Sequence, residues 1–273
     1  MKSSLCIGRA LIVFGLSLTF VIPANAAEKS GFTFAGVPIS PGATVRANVP
    51  LNATEKSYAA EGGNAVPANA VAVLAVPSGF DPQKSWPVLV VLSTSDFKRL
   101  NRDDLADFYR TAALSEGWVI LAGDGPAFPR QDSTGWRTGM TLAALDALHR
   151  SFPGSNKWPV ACAGYSGGAK RAGLIAPLLA LAGCRMAGIF LTGINEDRLS
   201  EGYRQYKPGS GFLRTPIFVS SGADDKMATP SQQWQVKLSM ERTGFQRVRL
   251  ETFSGGHNVK VAHVREALRW FRQ

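Results

Sequence analysis

The segment ACAGYSGGAKR, residues 161–171, decides the fold. Small apolar residues lead into Ser166, glycines surround it, and a run with helix-forming composition follows. The motif G-x-S-x-G alone has little specificity in a chain so rich in glycine and serine. An ordinary strand-to-helix turn needs glycine at about one of these positions, whereas Gly164, Gly167 and Gly168 are all present. We therefore predict that Ser166 is a nucleophile at the end of a buried strand.

Short apolar runs alternate with amphipathic segments over the rest of the chain. Runs that lack polar alternation are typical of strands buried on both faces of a parallel sheet. Such runs occupy residues 71–76 and 87–92, and further strands are predicted at 118–122, 158–163, 186–191, 216–220 and 247–253. Helical spacing or capping signals occur at 103–116, 138–150, 168–182, from 229 onward, and at 259–271. This alternation predicts an α/β fold, a predominantly parallel twisted sheet with helices on both faces.

The N-terminal sequence predicts export. Residues 1–26 combine early cations, a short apolar core and a small-residue cleavage site, which is typical of a secretory signal peptide. Residues 27–69 are rich in small and turn-forming residues and are interpreted as a lead-in or edge hairpin, and residues 70–273 as the catalytic domain. No other apolar stretch approaches spanning length, so we expect no transmembrane segment after cleavage and a secreted or periplasmic protein.

Composition argues against several classes of function. The formal net charge is +10, but Lys and Arg are dispersed and form no basic run, so we expect no nucleic-acid partner. Cys6 belongs to the signal peptide, and we predict that Cys162 and Cys184 are not bridged, because their predicted strand positions are far apart. Metal-binding spacings are lacking in the sequence. No metal and no organic cofactor are expected.

A nucleophilic serine needs a base and an acid that orients the base. His257 lies in the glycine-rich loop FSGGHN (253–258), after the last strand and before the last helix. Asp225 follows the strand that ends near residue 222, and Asp224 is the alternate acid. Because parallel strands end at the same sheet edge, Ser166, His257 and one of these acids are expected to lie together. Glu196 and Asp197 are further acids at that edge.

The order Ser166, Asp225, His257, each after a successive buried strand, resembles the α/β-hydrolase superfamily from about residue 70 to the C-terminus. The chain lacks a large insertion between Leu191 and Pro216, which predicts little or no cap domain. The resemblance favours Asp225 because the family's acid follows the strand-end glycine by three residues. It also implies an oxyanion hole from the backbone N–H groups of Gly167 and Ser95, with Thr94 as the alternative to Ser95. Many relatives carry His-Gly where this chain has STSD (93–96), which is a departure from the family pattern.

These features together predict a serine hydrolase that acts on a carboxylic ester through an acyl-enzyme. A serine peptidase or acyltransferase, and a non-catalytic envelope binding protein with the same fold, are the alternatives. Lys170, Glu196, Asp197 and Trp136 are expected as possible rim residues of the cleft, although Trp136 could instead pack its loop. Lys170 and Arg171 are expected to reach solvent or to pair with an acid, for which Glu196 and Asp197 are the candidates; alternatively, one of them favours an anionic substrate.

Overall fold

A single large sheet positions the candidate site, and a computed structural model describes the chain over residues 31–273. The predicted signal peptide, residues 1–26, lies outside the described residues. Residues 31–273 form ten strands: β1 Thr33–Phe34, β2 Val37–Pro38, β3 Thr44–Pro50, β4 Asn69–Ala75, β5 Val88–Leu92, β6 Val119–Asp124, β7 Val160–Tyr165, β8 Met186–Thr192, β9 Ile217–Gly222 and β10 Val248–Phe253. The same residues form eight α-helices: α1 Ala53–Ala59, α2 Asn101–Asp104, α3 Arg110–Ser115, α4 Thr134–Ser151, α5 Gly167–Leu181, α6 Arg198–Tyr206, α7 Pro230–Thr243 and α8 Val261–Trp270. A π-helical turn, Leu105–Tyr109, joins α2 to α3.

The strands from β3 to β10 form one mixed sheet within the described residues. Their order across the sheet is β10-β9-β8-β7-β5-β6-β4-β3. Strand β4 runs antiparallel to both of its neighbours, and the pairs from β6 to β10 are parallel. The predominantly parallel sheet predicted from the sequence is therefore confirmed.

Helices cover both faces of the sheet, which explains the continuous apolar runs. In β5, Val88, Val90 and Leu92 enter the core under α1, α4, α5 and α7. Leu89 and Val91 enter the opposite core, under α3 and α8. Successive side chains of a strand point to opposite faces, so a strand covered on both sides has no position for a polar residue.

The strand order changes direction between β5 and β7. The chain leaves β5 toward β6 on one side and later returns to form β7 on the other side. Loops that follow two such strands diverge to opposite faces and leave a crevice at the carboxyl end of the sheet, where ligands bind in open α/β sheets. The loop that begins at Ser93 and the turn at Ser166 border this crevice.

The segment interpreted as a lead-in contributes to the same core. Strand β3 pairs antiparallel with β4, so the sheet begins at Thr44, on the N-terminal side of the predicted boundary at residue 70. Ala47, Val49 and Leu51 are buried in the core of the sheet. Helix α1 packs on α4 so closely that a Cβ added to Gly139 would lie 2.5 Å from the Glu55 carbonyl oxygen.

The connection from β8 to β9 is short. Within the described residues it contains α6 and one 3₁₀ turn, Ser210–Arg214, and no cap domain. Cys162 and Cys184 are both free thiols, in agreement with the sequence-based prediction. No helix in residues 31–273 combines the length and apolarity needed to cross a membrane.

Candidate active site

Ser166 occupies a strained turn between β7 and α5. Its backbone has φ 55° and ψ −121°, a region that residues other than glycine rarely adopt. A Cβ added to Gly164 would lie 2.1 Å from the Gly168 carbonyl oxygen, and one added to Gly168 would lie 2.2 Å from the Leu92 carbonyl oxygen. Strand and helix therefore approach so closely that only glycine fits on either side of Ser166. Strain of this kind costs about 1–3 kcal/mol and is concentrated at functional sites.

His257 and Asp225 form a close pair next to Ser166. The Nδ1 atom of His257 lies 2.7 Å from Oδ2 of Asp225, whose residue is 3% exposed. The other carboxylate oxygen accepts the backbone N–H groups of Met227 at 2.9 Å and Ala228 at 2.8 Å. Because a carboxylate only accepts, His257 donates from Nδ1 and its Nε2 is left with a lone pair.

His257 and the candidate nucleophile lie in the same cleft. Ser166, Gly167 and His257 line one cleft of about 480 Å³. Nε2 of His257 is buried and has no hydrogen-bond partner among residues 31–273. The hydrogen bond from Ser166 Oγ is therefore not made, an arrangement common in unliganded active sites, where such bonds tighten only when substrate binds.

Asp224, the alternate acid, does not approach His257. Its residue is exposed, and its backbone N–H donates to the Gly255 carbonyl oxygen at 2.9 Å. Its carboxylate makes no hydrogen bond within the described residues, so the structure brings Asp225, and not Asp224, to the histidine.

Two residues that the sequence analysis did not assign hold the His257 ring in place. The Tyr165 hydroxyl donates to the His257 carbonyl oxygen at 2.8 Å, and the two ring centroids are 4.9 Å apart. Burial, together with the nearby charge of Asp225, raises the pKa of Tyr165 to about 12, so the hydroxyl remains a donor. Gly193, with φ +60°, packs against the imidazole; a Cβ there would lie 2.7 Å from Cε1. In the sequence, only the position of Tyr165 directly before Ser166 indicates that this residue lies at the site.

The loop after β5 lies against the N-terminus of α5. A Cβ added to Gly167 would lie 2.8 Å from Thr94 Oγ1. The backbone N–H groups of Gly167 and Ser95 have no acceptor among the described residues. They are the two groups expected to form the oxyanion hole, and they line the same cleft.

Arg171 is buried beneath this loop and pairs with an acid, as expected, but the acid is Asp132 and neither of the candidates Glu196 and Asp197. Its guanidinium donates to the Ser93 carbonyl oxygen and to Ser95 Oγ, each at 2.6 Å, and lies 3.1 Å from Asp132 Oδ2. Burial lowers the pKa of Arg171, and the adjacent Arg137 lowers it further. A cation in the first turns of a helix is unfavourable by about 0.3–1 kcal/mol. The ion pair and both hydrogen bonds offset that cost.

A second buried arginine completes the support of the loop. Arg137 binds Asp132 with two parallel hydrogen bonds, of 2.6 and 2.7 Å, and donates to Ser93 Oγ at 3.0 Å. Burial alone would raise the pKa of the Asp132 carboxyl, but its bonds to Arg137 and the charge of Arg171 hold it below its ordinary value. The STSD segment, which replaces His-Gly, is thus held by hydrogen bonds from two buried arginines. Both arginines also bind the carboxylate of Asp132.

The other predicted rim residues divide into two groups. Lys170 and Glu196 do line the cleft, and Lys170 Nζ lies 3.3 Å from Glu196 Oε2, one of the two expected pairings. Asp197 does not line it, because its side chain caps α6 by accepting the Ser200 N–H at 3.0 Å. Trp136 is 4% exposed and belongs to the core, so it packs inside the protein and is not a rim residue of the cleft. Within residues 31–273 there is no group of three His, Cys, Asp or Glu side chains that could hold a metal ion.

Comparisons with known proteins identify the fold. No protein-family model matches the chain, and no curated protein matches its sequence. Among solved structures, the chain is similar to an α/β serine hydrolase without a lid from Xanthomonas campestris, with TM-score 0.58, 14% identity, and coverage of 86% of this chain and 95% of that one. A bacterial heroin esterase gives TM-score 0.57, 14% identity, and coverage of 89% and 87%.

A dipeptidyl aminopeptidase IV-type protein from Bacteroides ovatus is also similar, with TM-score 0.58, 13% identity and 85% of this chain covered. This chain spans only 36% of that longer protein. The protein has the α/β-hydrolase fold, which confirms the fold expected from the resemblance.

Proposed function

We propose that the protein is a serine hydrolase that cleaves carboxylic esters, with Ser166 as nucleophile, His257 as general base and Asp225 as the orienting acid. The observation that carries the proposal is the 2.7 Å contact between Asp225 and His257 Nδ1, in the same cleft as Ser166. A solvated loop histidine would not need a buried carboxylate held by two backbone N–H groups. We propose an ester rather than an amide as the substrate by analogy with proteins of the same fold, such as the heroin esterase.

The geometry supports an acyl-enzyme route. His257 Nε2 takes the proton of Ser166 as Oγ bonds to the substrate carbonyl carbon, and the N–H groups of Gly167 and Ser95 stabilise the resulting oxyanion. The protonated imidazole is stabilised by Asp225 and returns its proton to the departing alkoxide as the ester bond breaks. Water then attacks the acyl-enzyme, with His257 again as base, and releases the acid and free Ser166.

Labelling with a fluorophosphonate probe tests the proposal against a non-catalytic binding protein. We expect the wild-type protein to hydrolyse p-nitrophenyl acetate and to be labelled at Ser166, as located by peptide mass spectrometry. Ser166→Ala should lose both properties, whereas Ser231→Ala, which changes an exposed serine in α7, should keep both. The proposal fails if the wild type is neither active nor labelled, or if the label persists in Ser166→Ala.

The N-terminal sequence supports a further part of the proposal, namely that the protein is exported. Mass spectrometry of protein expressed with its full N-terminus should find a mature chain that begins at Ala27 in the extracytoplasmic fraction. An intact N-terminus in the cytoplasmic fraction would contradict export and would leave the assignment of Ser166 unaffected.

A further inference from the structure

A second cavity, of about 210 Å³, lies beside the cleft that contains Ser166. Thr134, Leu174 and Arg198 line both cavities, so the two adjoin and are treated together as one surface. We call it the extended groove; it runs from Ser166 to a far end formed by Tyr58 and Tyr206.

One wall of the extended groove carries alternating charges. Lys170 Nζ lies 3.3 Å from Glu196 Oε2, and Arg198 Nη1 lies 3.1 Å from Glu196 Oε1 and 2.8 Å from Glu201 Oε2. Each cation therefore already has a carboxylate partner. An anionic substrate group would have to displace a carboxylate, and an apolar group would cover charged atoms without replacing their contacts with water.

A neutral hydroxyl group has neither difficulty. It can donate to Glu196 or Glu201 and accept from Lys170 or Arg198 in the same position, without breaking the existing ion pairs. A wall in which donors and acceptors alternate thus favours a ligand that presents several hydroxyl groups in a row.

The far end of the extended groove adds aromatic surface. Tyr58 and Tyr206 are both partly exposed, and neither hydroxyl has a hydrogen-bond partner within residues 31–273. Burial, then the nearby Tyr58 and Glu61, raises the pKa of Tyr206, so its hydroxyl remains a hydrogen-bond donor. An aromatic face packs against the C–H face of a sugar ring, while the phenolic hydroxyl and the exposed Gln205 amide can bond to its hydroxyls.

We infer that the extended groove binds a hydroxyl-rich group, as presented by a sugar, that is joined to the ester attacked by Ser166. The inference rests on the proposed function for the ester bond, but not for the binding of the hydroxyl-rich group. The sugar can be the alcohol part or the acyl part of the ester, and the experiment distinguishes the two.

The kinetic test uses esters that differ only in that group. Monoacetylated cellobiose and ethyl acetate share the acyl part, and the methyl ester of glucuronic acid and methyl acetate share the alcohol part. We expect kcat/KM to be at least about tenfold higher for one of the two sugar esters than for its plain counterpart. Tyr206→Ala and Glu201→Gln should each lower kcat/KM for the preferred sugar ester by about tenfold and leave p-nitrophenyl acetate hydrolysis unchanged. Glu241→Gln, an exposed helical glutamate that binds Lys237 in α7, is the matched control and should change neither.

A binding measurement keeps the inference separate from catalysis. Saturation-transfer NMR with cellobiose should detect binding to the Ser166→Ala protein and lose it when Tyr206→Ala is added. Binding of this kind without turnover of any ester would support the groove and defeat the hydrolase proposal. Ester turnover without preference for either sugar ester, together with cellobiose signals that Tyr206→Ala does not reduce, would overturn the inference and leave the hydrolase proposal intact.

Discussion

The guanidinium of Arg171 donates a hydrogen bond of 2.6 Å to the carbonyl oxygen of Ser93, 78 residues earlier in the chain. This contact joins the helix that begins directly after the candidate nucleophile to the loop after β5, which contains Ser95. One buried side chain therefore links the two segments that carry the proposed oxyanion donors, the backbone N–H groups of Gly167 and Ser95.

Arg171→Lys should lower kcat by about 10- to 100-fold with little change in KM. Lysine keeps the charge but cannot bind Ser93, Ser95 and Asp132 together, and a displacement of about 1 Å at a reacting centre can cost about 100-fold. Steady-state kinetics with p-nitrophenyl acetate measure the effect, and Arg242→Lys, an exposed arginine in α7, is the control. Added guanidinium ion should restore part of the activity of Arg171→Ala. A purely structural role would lower the amount of folded enzyme and leave kcat per labelled site unchanged.

Asp225→Asn should reduce kcat by about 10⁴-fold, because the amide presents the wrong partner to His257 Nδ1 and favours the wrong tautomer. Asp224→Asn is a matched control one residue away: its carboxylate is exposed and should be dispensable. Circular dichroism should be unchanged for both variants. If Asp224→Asn is the impaired variant, or if neither is, Asp225 does not orient the base.

Gly193→Ala should impair catalysis by displacing the imidazole of His257. The added Cβ would meet Cε1 of that ring at 2.7 Å, in addition to the strain of φ +60°. Gly209→Ala separates the two effects, since Gly209 has φ +94° and no heavy atom within 4 Å of an added Cβ. We expect both variants to lose stability, by about 1 kcal/mol or more, and only Gly193→Ala to lose about 100-fold in kcat. Equal kcat values for the two proteins would be evidence against the contact.

The stability of the protein should contain a contribution from Asp104 that falls as the pH rises. Burial raises the pKa of this carboxyl to about 6, although its hydrogen bond from Arg99 at 2.6 Å opposes the shift. The unfolded value is about 3.9, so between about pH 4 and pH 6 the folded chain holds a proton that the unfolded chain has lost. The contribution to the free energy of unfolding is therefore present below about pH 4 and is reduced by up to about 3 kcal/mol above pH 6.

Urea unfolding at several pH values measures this contribution as the difference between wild type and Asp104→Asn. The variant, whose amide does not titrate, should lack the decline. Asp107→Asn is the control, because Asp107 is exposed and binds the same guanidinium at 2.7 Å. Parallel pH profiles for wild type and Asp104→Asn would exclude the proposed titration.

The sequence was sufficient for the parts of the fold that repeat a local pattern. The residues of β5 and β7 are apolar on both faces, which is visible as a continuous apolar run. The close packing around Ser166 admits only glycine at its neighbours, which is visible as a short motif. For strand β3 the sequence left a lead-in and an edge hairpin open, because the strand lies at an edge and exposes Thr44, Arg46, Asn48 and Pro50 along its length. Its pairing with β4 depends on residues 69–75, beyond any local window.

The buried contacts that hold the candidate site could not be predicted either, because they also join residues that are distant in sequence. Arg171 was judged by its place in a helix, where a cation usually reaches solvent, whereas its partners Ser93 and Asp132 are distant in sequence. Apolar spacing predicts that helix α4 begins at residue 138, which leaves Trp136 in the preceding loop. The helix in fact begins at Thr134. Helix α4 is buried over most of its surface, so it lacks the one-sided pattern that reveals a helix boundary.

The short connection between β8 and β9 has a consequence for how substrates arrive. Residues 193–216 contain α6 and a single 3₁₀ turn, so this connection holds no separate lid domain over Ser166. For the proposed hydrolase we therefore expect no interfacial activation, the rise in rate that occurs when a lid opens on contact with an oil droplet or micelle. An entrance that is always accessible also accommodates esters that project from a long chain or from a solid, because the body of such a material can remain outside while one side branch enters.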